Sequence, residues 1–203
     1  MGWRGGFQLK HFLPVLHLIV MNTTGAALLT HPRPCGHIVY PYTNESQFAD
    51  AVCLFASAGL RKGESALLVM EESHCELIRS QLQRDGLDVA ELEASGRLNC
   101  KNAAVLLKTF LFDGIIDEDA FRTKIGWLID KAKTSSPAGQ VRVFGEMVDL
   151  LWMPNPKATQ RLEELWNEVI NLHSVPLLCA YSLGGLRPDS LPASLLACHS
   201  AAV

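Results

Sequence analysis

The chain has 203 residues, a size that fits one domain able to bury a continuous core without metal or disulfide support. With 48% apolar and 19% charged residues, many elements must be covered on more than one side, which points to a helix-covered sheet rather than an open one. The formal charge of -3 comes with no run of Lys or Arg, so the basic stripe that phosphate backbones require is missing and direct nucleic-acid binding is not expected.

The first apolar run, Phe12 to Met21, follows Arg4 and Lys10. It is too short to span a membrane. A secretory h-region of that length is ordinary, but Pro14 and His17 interrupt it and Thr24-Gly25-Ala26 is a poor cleavage site. The alternatives are an appended helix or a poorly ordered extension, closed by the linker His31-Pro32-Arg33-Pro34. Residues 1–34 are therefore set apart from a single α/β domain over 35–203. The sequons at Asn22 and Asn44 matter only if the chain is exported. Six cysteines (Cys35, Cys53, Cys75, Cys100, Cys179 and Cys198) show no CxxC, the usage of reduced core thiols in a cytoplasmic protein. Metal-binding side chains at His37, His74, Cys75, Cys179 and His199 lack ligand spacing, and no metal is assigned to them.

From Cys35 onward strand-like and helical runs alternate. His37–Tyr40 reads as a strand and Asn44–Ala58 as a helix, with Asn44 and Gln47 as its capping box and Gly59 as its stop. Ser65–Met70 is apolar on both faces, the mark of an interior parallel strand. Ser73 and Glu76 read as a capping box for a helix closing at Asp85-Gly86. Leu87–Ala94 is a short helix, Arg97–Cys100 a third strand, and Ala103–Phe110 a further helical turn or two. A stripe of Phe121, Ile125, Leu128 and Ile129 predicts a helix over Asp117–Lys133. Val141–Phe144 is the fourth strand. Asn155-Pro156 starts a helix reaching Leu172, and Pro176–Tyr181 is the fifth strand. This order implies a mostly parallel sheet with helices on both faces.

In such sheets ligands sit beyond the carboxyl ends of the strands. Those ends present Tyr40 and Tyr42, then Glu71 and Glu72, then Gly145 and Glu146, then Tyr181 and Ser182. Glu71 and Glu72 also suit a helix start, where the macrodipole favours acids. Glu146 lies between a buried strand and the apolar MVDLLW run, so its carboxylate is expected to be desolvated and partnered. Glu163 and Asn167 are four apart at the edge of a buried stripe, where a surface pair is the ordinary outcome. No Gly-Lys dipeptide occurs, and the first strand-to-helix turn, Tyr40-Pro41-Tyr42-Thr43-Asn44-Glu45, puts a proline and a glutamate where phosphate needs N–H donors. Ordinary ATP hydrolysis is not expected.

Several pieces then fall in a specific order: His37-Ile38-Val39-Tyr40, Gly59-Leu60-Arg61-Lys62-Gly63-Glu64, Gly86-Leu87-Asp88 with Ser95-Gly96-Arg97-Leu98, the run Val141 to Met147, Leu162-Glu163 with Asn167, Leu178-Cys179-Ala180-Tyr181, and His199. Together they resemble the DcmR-type sensory domain, the MEDS family of methanogens and methylotrophs, which looks like a degenerate relative of KaiC/RecA-like ATPases. The resemblance runs from about Gly36 to Val203. It implies a three-layer sandwich without the phosphate-binding loop, used as a non-catalytic sensor of a small organic ligand, with hydrocarbon derivatives as the implied class. It adds His37, Glu163, Asn167 and His199 to a ligand set of Tyr40, Tyr42, Glu71, Glu72, Glu146, Trp152 and Tyr181. No helix-turn-helix or kinase segment is recognisable, so the output falls to a signalling partner chain or a homodimer.

Two other readings remain open. A residual or atypical nucleotide-binding enzyme would use Glu71 or Glu72 with Glu146 as base and acid. A protein-interaction module would dock through an apolar patch around Leu150 to Met153. No cofactor is named by the sequence.

Overall fold

The computed structural model describes residues 23–184 and 191–203; the apolar run Phe12–Met21 and the sequon residue Asn22 lie outside them. Strands β1 (His37–Tyr42), β2 (Ser65–Met70), β3 (Leu98–Asn102), β6 (Val141–Gly145), β7 (Leu177–Ser182) and β8 (Ala201–Ala202) form one sheet in the order β3-β2-β6-β7-β1-β8. Every pairing in it is parallel. The strands β4 (Leu111–Phe112) and β5 (Ile115–Ile116) make a separate antiparallel hairpin, turned at Asp113-Gly114, both at positive φ as a two-residue Asp-Gly turn requires.

Strand alternation divides the core in two. Ile38, Tyr40, Tyr42, Ala66, Leu68, Met70, Phe144, Leu178 and Ala180 face one layer of helices, made by α1 (Thr23–Thr30), α2 (Glu45–Leu60), α3 (Glu72–Arg84) and α4 (Val89–Ala94). Val39, Leu67, Val69, Val143, Leu177, Cys179 and Tyr181 face the other, made by α5 (Ala103–Leu107), α6 (Glu118–Thr134), α7 (Met147–Trp152), α8 (Pro156–His173) and α9 (Ala193–Leu196). The result is the expected α/β three-layer sandwich. All six residues of β2 are buried, as a strand covered on both faces must be.

Local signals set most helix starts. The side chains of Asn44, Asp88, Asn102, Asp117 and Asn155 each accept a backbone N–H of the following turn, and Pro156 occupies the first turn of α8, where its missing donor costs nothing. The Gln47 carboxamide bonds Thr43 rather than Asn44. The box expected from Ser73 and Glu76 does not form: α3 begins at Glu72 with Glu71 as its cap residue and no side-chain cap bond. Glu71 N–H is held 2.9 Å from Glu146 Oε2, which fixes the chain entry and puts Ser73 inside the first turn. The MVDLLW run, read as an apolar stretch, is the helix α7.

At the amino end of the sheet Arg142 is 2% exposed. Its guanidinium reaches Glu64 Oε2 at 2.5 Å, Leu29 O at 2.9 Å, Phe55 O at 3.0 Å and Thr30 O at 3.2 Å. It thereby satisfies carbonyls at the end of α1, which a cation there also stabilises through the helix dipole. A Cβ on Gly59 would stand 2.4 Å from Arg142 Nε, so this glycine gives the arginine its room.

Candidate functional site

The residues singled out by sequence fall into two regions on opposite faces of the sheet. At the carboxyl edge, β6 ends and Glu146 caps α7, only 2% exposed. Its carboxylate accepts from Glu71 N–H at 2.9 Å and lies 2.6 Å from His74 Nδ1. That contact raises the His74 pKa above its ordinary value, against the burial that lowers it. Phe48 packs against His74 at 4.3 Å and against Tyr42 at 5.0 Å between ring centroids. Asp149 accepts from Ser182 N–H at 2.8 Å. Burial pushes its carboxyl up to about 6, with Glu146 adding repulsion. Burial, Asp149 and Glu146 likewise push the Tyr42 phenol up.

Several expected members of this edge stand apart from it. Tyr40 points toward α2 and gives its hydroxyl to Gln47 O at 3.1 Å. Glu71 contributes its backbone N–H, with an exposed side chain. Glu72 is exposed and sits 3.6 Å from Arg79. Of the apolar patch expected at Leu150 to Met153, Leu151 and Trp152 are buried and only Met153 is strongly exposed. His74 and Asp149 were not among the sequence candidates for this edge. An acid in the first turn after Glu146 is the one signal that pointed to Asp149.

The second region lies inside the other layer, where β1, β7 and α8 meet. Glu163 is wholly buried, its Oε2 3.1 Å from His37 Nε2 and its Oε1 3.3 Å from His199 Nε2. Tyr181 donates its hydroxyl to Glu163 Oε1. Cys179 Sγ is 3.2 Å from His37 Nε2 and 3.7 Å from Glu163 Oε2. Asn167, one turn along α8, holds His37 Nδ1 at 3.0 Å and donates to Cys198 O at 2.9 Å. Burial pushes the Glu163 carboxyl up, and the adjoining imidazoles more than offset it, bringing it to about 2. Burial beside this carboxylate pushes the Cys179 thiol and the Tyr181 phenol well up, so both stay protonated. Glu163 and Asn167, read as an ordinary surface pair, are instead the hub of the region.

The helix α8 runs back along the sheet, so its first turns lie at the carboxyl side. There Trp152, Met153, Pro156, Leu195 and Pro192, with Lys157, Gln160 and Ser194, line a cleft of about 280 Å³. The Trp152 ring meets Tyr181 edge-on at 6.2 Å, linking the cleft wall to the buried cluster.

A family model described as "MEDS: MEthanogen/methylotroph, DcmR Sensory domain" matches residues 36–200. The chain belongs to the MEDS family. A MEDS domain is a sensory domain, so the role of this chain is sensing. A comparison with curated proteins finds no match. Among the described residues no helix is long and apolar enough to cross a membrane.

Proposed function

We propose that this MEDS domain is a non-catalytic sensor in signal transduction or transcription regulation, and that its ligand is a small organic molecule, with hydrocarbon derivatives as the class. The supporting observation is the cleft beside Trp152. Its volume suits a small molecule, its walls are mostly apolar, and Lys157, Gln160 and Ser194 give a few polar groups to orient one. A ligand there touches α7, α8 and α9 together and reaches Tyr181 through Trp152, so occupancy changes how these helices pack. The reading includes a cytoplasmic site of action, in keeping with six free thiols, and an output carried by a partner chain or a second copy.

The edge around Glu146 favours nucleotides less. Glu146 and Asp149 face it with acidic groups, and the Glu146 oxygens are already taken by Glu71 N–H and His74. Polyphosphate meets repulsion there. The KaiC-like ancestry stands as part of the same proposal.

A thermal-shift panel of short alcohols, amines, halogenated hydrocarbons and carboxylic acids tests the reading. Ligands that bind only the folded chain raise Tm, and Trp152→Ala should abolish the shift while Glu72→Ala keeps it. No shift across the panel, together with no co-purifying small molecule in native mass spectrometry, overturns it.

A further inference from the structure

The hydrogen-bond pattern around Glu163 contains an imbalance of protons. Asn167 Nδ2 donates to Cys198 O at 2.9 Å, so its oxygen is the atom turned to His37, and His37 Nδ1 must carry the proton of that 3.0 Å contact. His199 Nδ1 is 2.8 Å from Leu195 O, a pure acceptor, and must carry a proton too. Both imidazoles have therefore spent the single N–H of the neutral ring on the far side. Their Nε2 atoms both face Glu163, at 3.1 Å and 3.3 Å. His199 Nε2 is buried and has no aligned hydrogen-bond partner.

Protons alone resolve this poorly. Without a second proton, both Nε2 atoms turn a lone pair toward the carboxylate, and only His37 Nε2 has another donor in reach, the Cys179 thiol at 3.2 Å. One proton on one ring balances the charge but leaves the other Nε2 lone pair against a Glu163 oxygen. With one on each ring, two imidazoliums whose centroids lie 4.1 Å apart share one carboxylate. That leaves a net positive charge in a place where both imidazoles are 1% exposed and Glu163 is 0% exposed, a costly arrangement in a low dielectric.

We propose that this cluster is a binding site for a divalent transition metal of the zinc class, ligated by His37 Nε2, His199 Nε2, a Glu163 oxygen and the Cys179 thiolate. One donor atom from each residue lies within 4.8 Å of all the others. Four of the contacts, His37 to Cys179 and to Glu163 Oε2, Cys179 to Glu163 Oε2, and His199 to Glu163 Oε1, run from 3.1 to 3.7 Å, close to the edges of about 3.3–3.8 Å that tetrahedral bonds of about 2.0–2.3 Å produce. The mix of two imidazoles, a carboxylate and a thiolate is the borderline donor set that zinc-class ions take. Charge closes as well: the carboxylate and thiolate offset a 2+ ion. Binding sends the Cys179 proton, and any proton on an Nε2, to water. Asn167, the Leu195 carbonyl and the Tyr181 hydroxyl complete the surround, fixing both tautomers and the carboxylate as outer partners of metal ligands do. His199 lies between α9 and β8, so the ion ties the end of the chain to β1, β7 and α8. This site does not depend on the ligand proposed for the cleft.

The full chain, stripped with a chelator and reloaded with Co2+ or Zn2+ alone, supplies the test. One equivalent per chain is expected, with a tetrahedral Co2+ spectrum carrying a thiolate charge-transfer band and a rise in Tm. Cys179→Ser, nearly isosteric, should lose that band. Asn167→Ala, which touches no metal, should weaken binding by about tenfold or more. His199→Gln should weaken it further, and where that variant does not fold, Cys179→Ser decides. Stoichiometry well below one, a Tm unmoved by Zn2+, or a band that survives in Cys179→Ser overturns the proposal.

Discussion

Among the described residues two buried carboxylates face histidines, Glu163 between two imidazoles and Glu146 beside one. Glu163 is sealed between the sheet and α8, while Glu146 sits at the rim beside His74, whose side chain is 13% exposed. In the sealed region titration is suppressed: the carboxyl is driven to about 2, and the neighbouring thiol and phenol are driven up. At the rim Asp149 titrates near 6 and His74 is raised from 6.5. Equivalent chemical groups thus give a fixed scaffold in one place and a protonation-responsive edge in the other, because two imidazoles outweigh burial at Glu163, whereas burial and the Glu146 charge act together on Asp149.

The hardest way to break this contrast is Glu163→Ala. It leaves His37, His199 and Tyr181 facing an empty position and should cost about 3–5 kcal/mol, the range for removing one partner of a buried charge pair, read as a lower urea midpoint at unchanged slope. Glu146→Ala should cost less, about 2–3 kcal/mol, since it strips charge-assisted bonds from Glu71 N–H and His74 at a site water can enter.

The third effect is in pH. Asp149 holds its proton more tightly in the folded chain than in the unfolded one, so the folded state binds more protons between about 4 and 6, and stability falls as pH rises through that window. With its carboxyl partly open to water, the loss should be about 1–2 kcal/mol. Stability from the His74–Glu146 pair is complete below the ordinary histidine value of 6.5 and is lost as pH rises through the raised one. Asp149→Asn should flatten the lower slope of Tm against pH and His74→Gln the upper one. The smallest effect belongs to Glu72→Ala, which should stay within about 0.5 kcal/mol because its ion pair with Arg79 is at the surface. A larger loss would mean that Glu72 is tied to the edge after all.

Much of this was legible from periodicity. The alternation along His37–Tyr42 already separates His37 and Val39 from Ile38, Tyr40 and Tyr42, and the two sets do pack on opposite faces. The candidates His37, Glu163, Asn167, Tyr181 and His199 do meet, although their separations in the chain run to more than a hundred residues. Of the residues placed together by strand ends, Tyr42 and the Glu71 backbone do reach the Glu146 edge, whereas Tyr181 lies on the other face, Tyr40 bonds α2 and Glu72 is exposed, because a strand end has two faces and the rule for sheet edges names neither. The α7 helix and the β4–β5 hairpin were also missed. Six residues of MVDLLW are too few to show a helical period, whereas the Asp113-Gly114 turn was a readable signal.

What the sequence by itself determined was the layering: apolar runs covered on both faces, caps at Asn44, Asp117 and Asn155, and a parallel α/β order follow from local patterns of burial and backbone bonding. Only the tertiary structure decided that β7 lies beside β1 with Cys179 opposite Val39, which brings Cys179 to His37 and both under Glu163. Strand order depends on which faces can be buried together across the whole chain, and no local pattern encodes that.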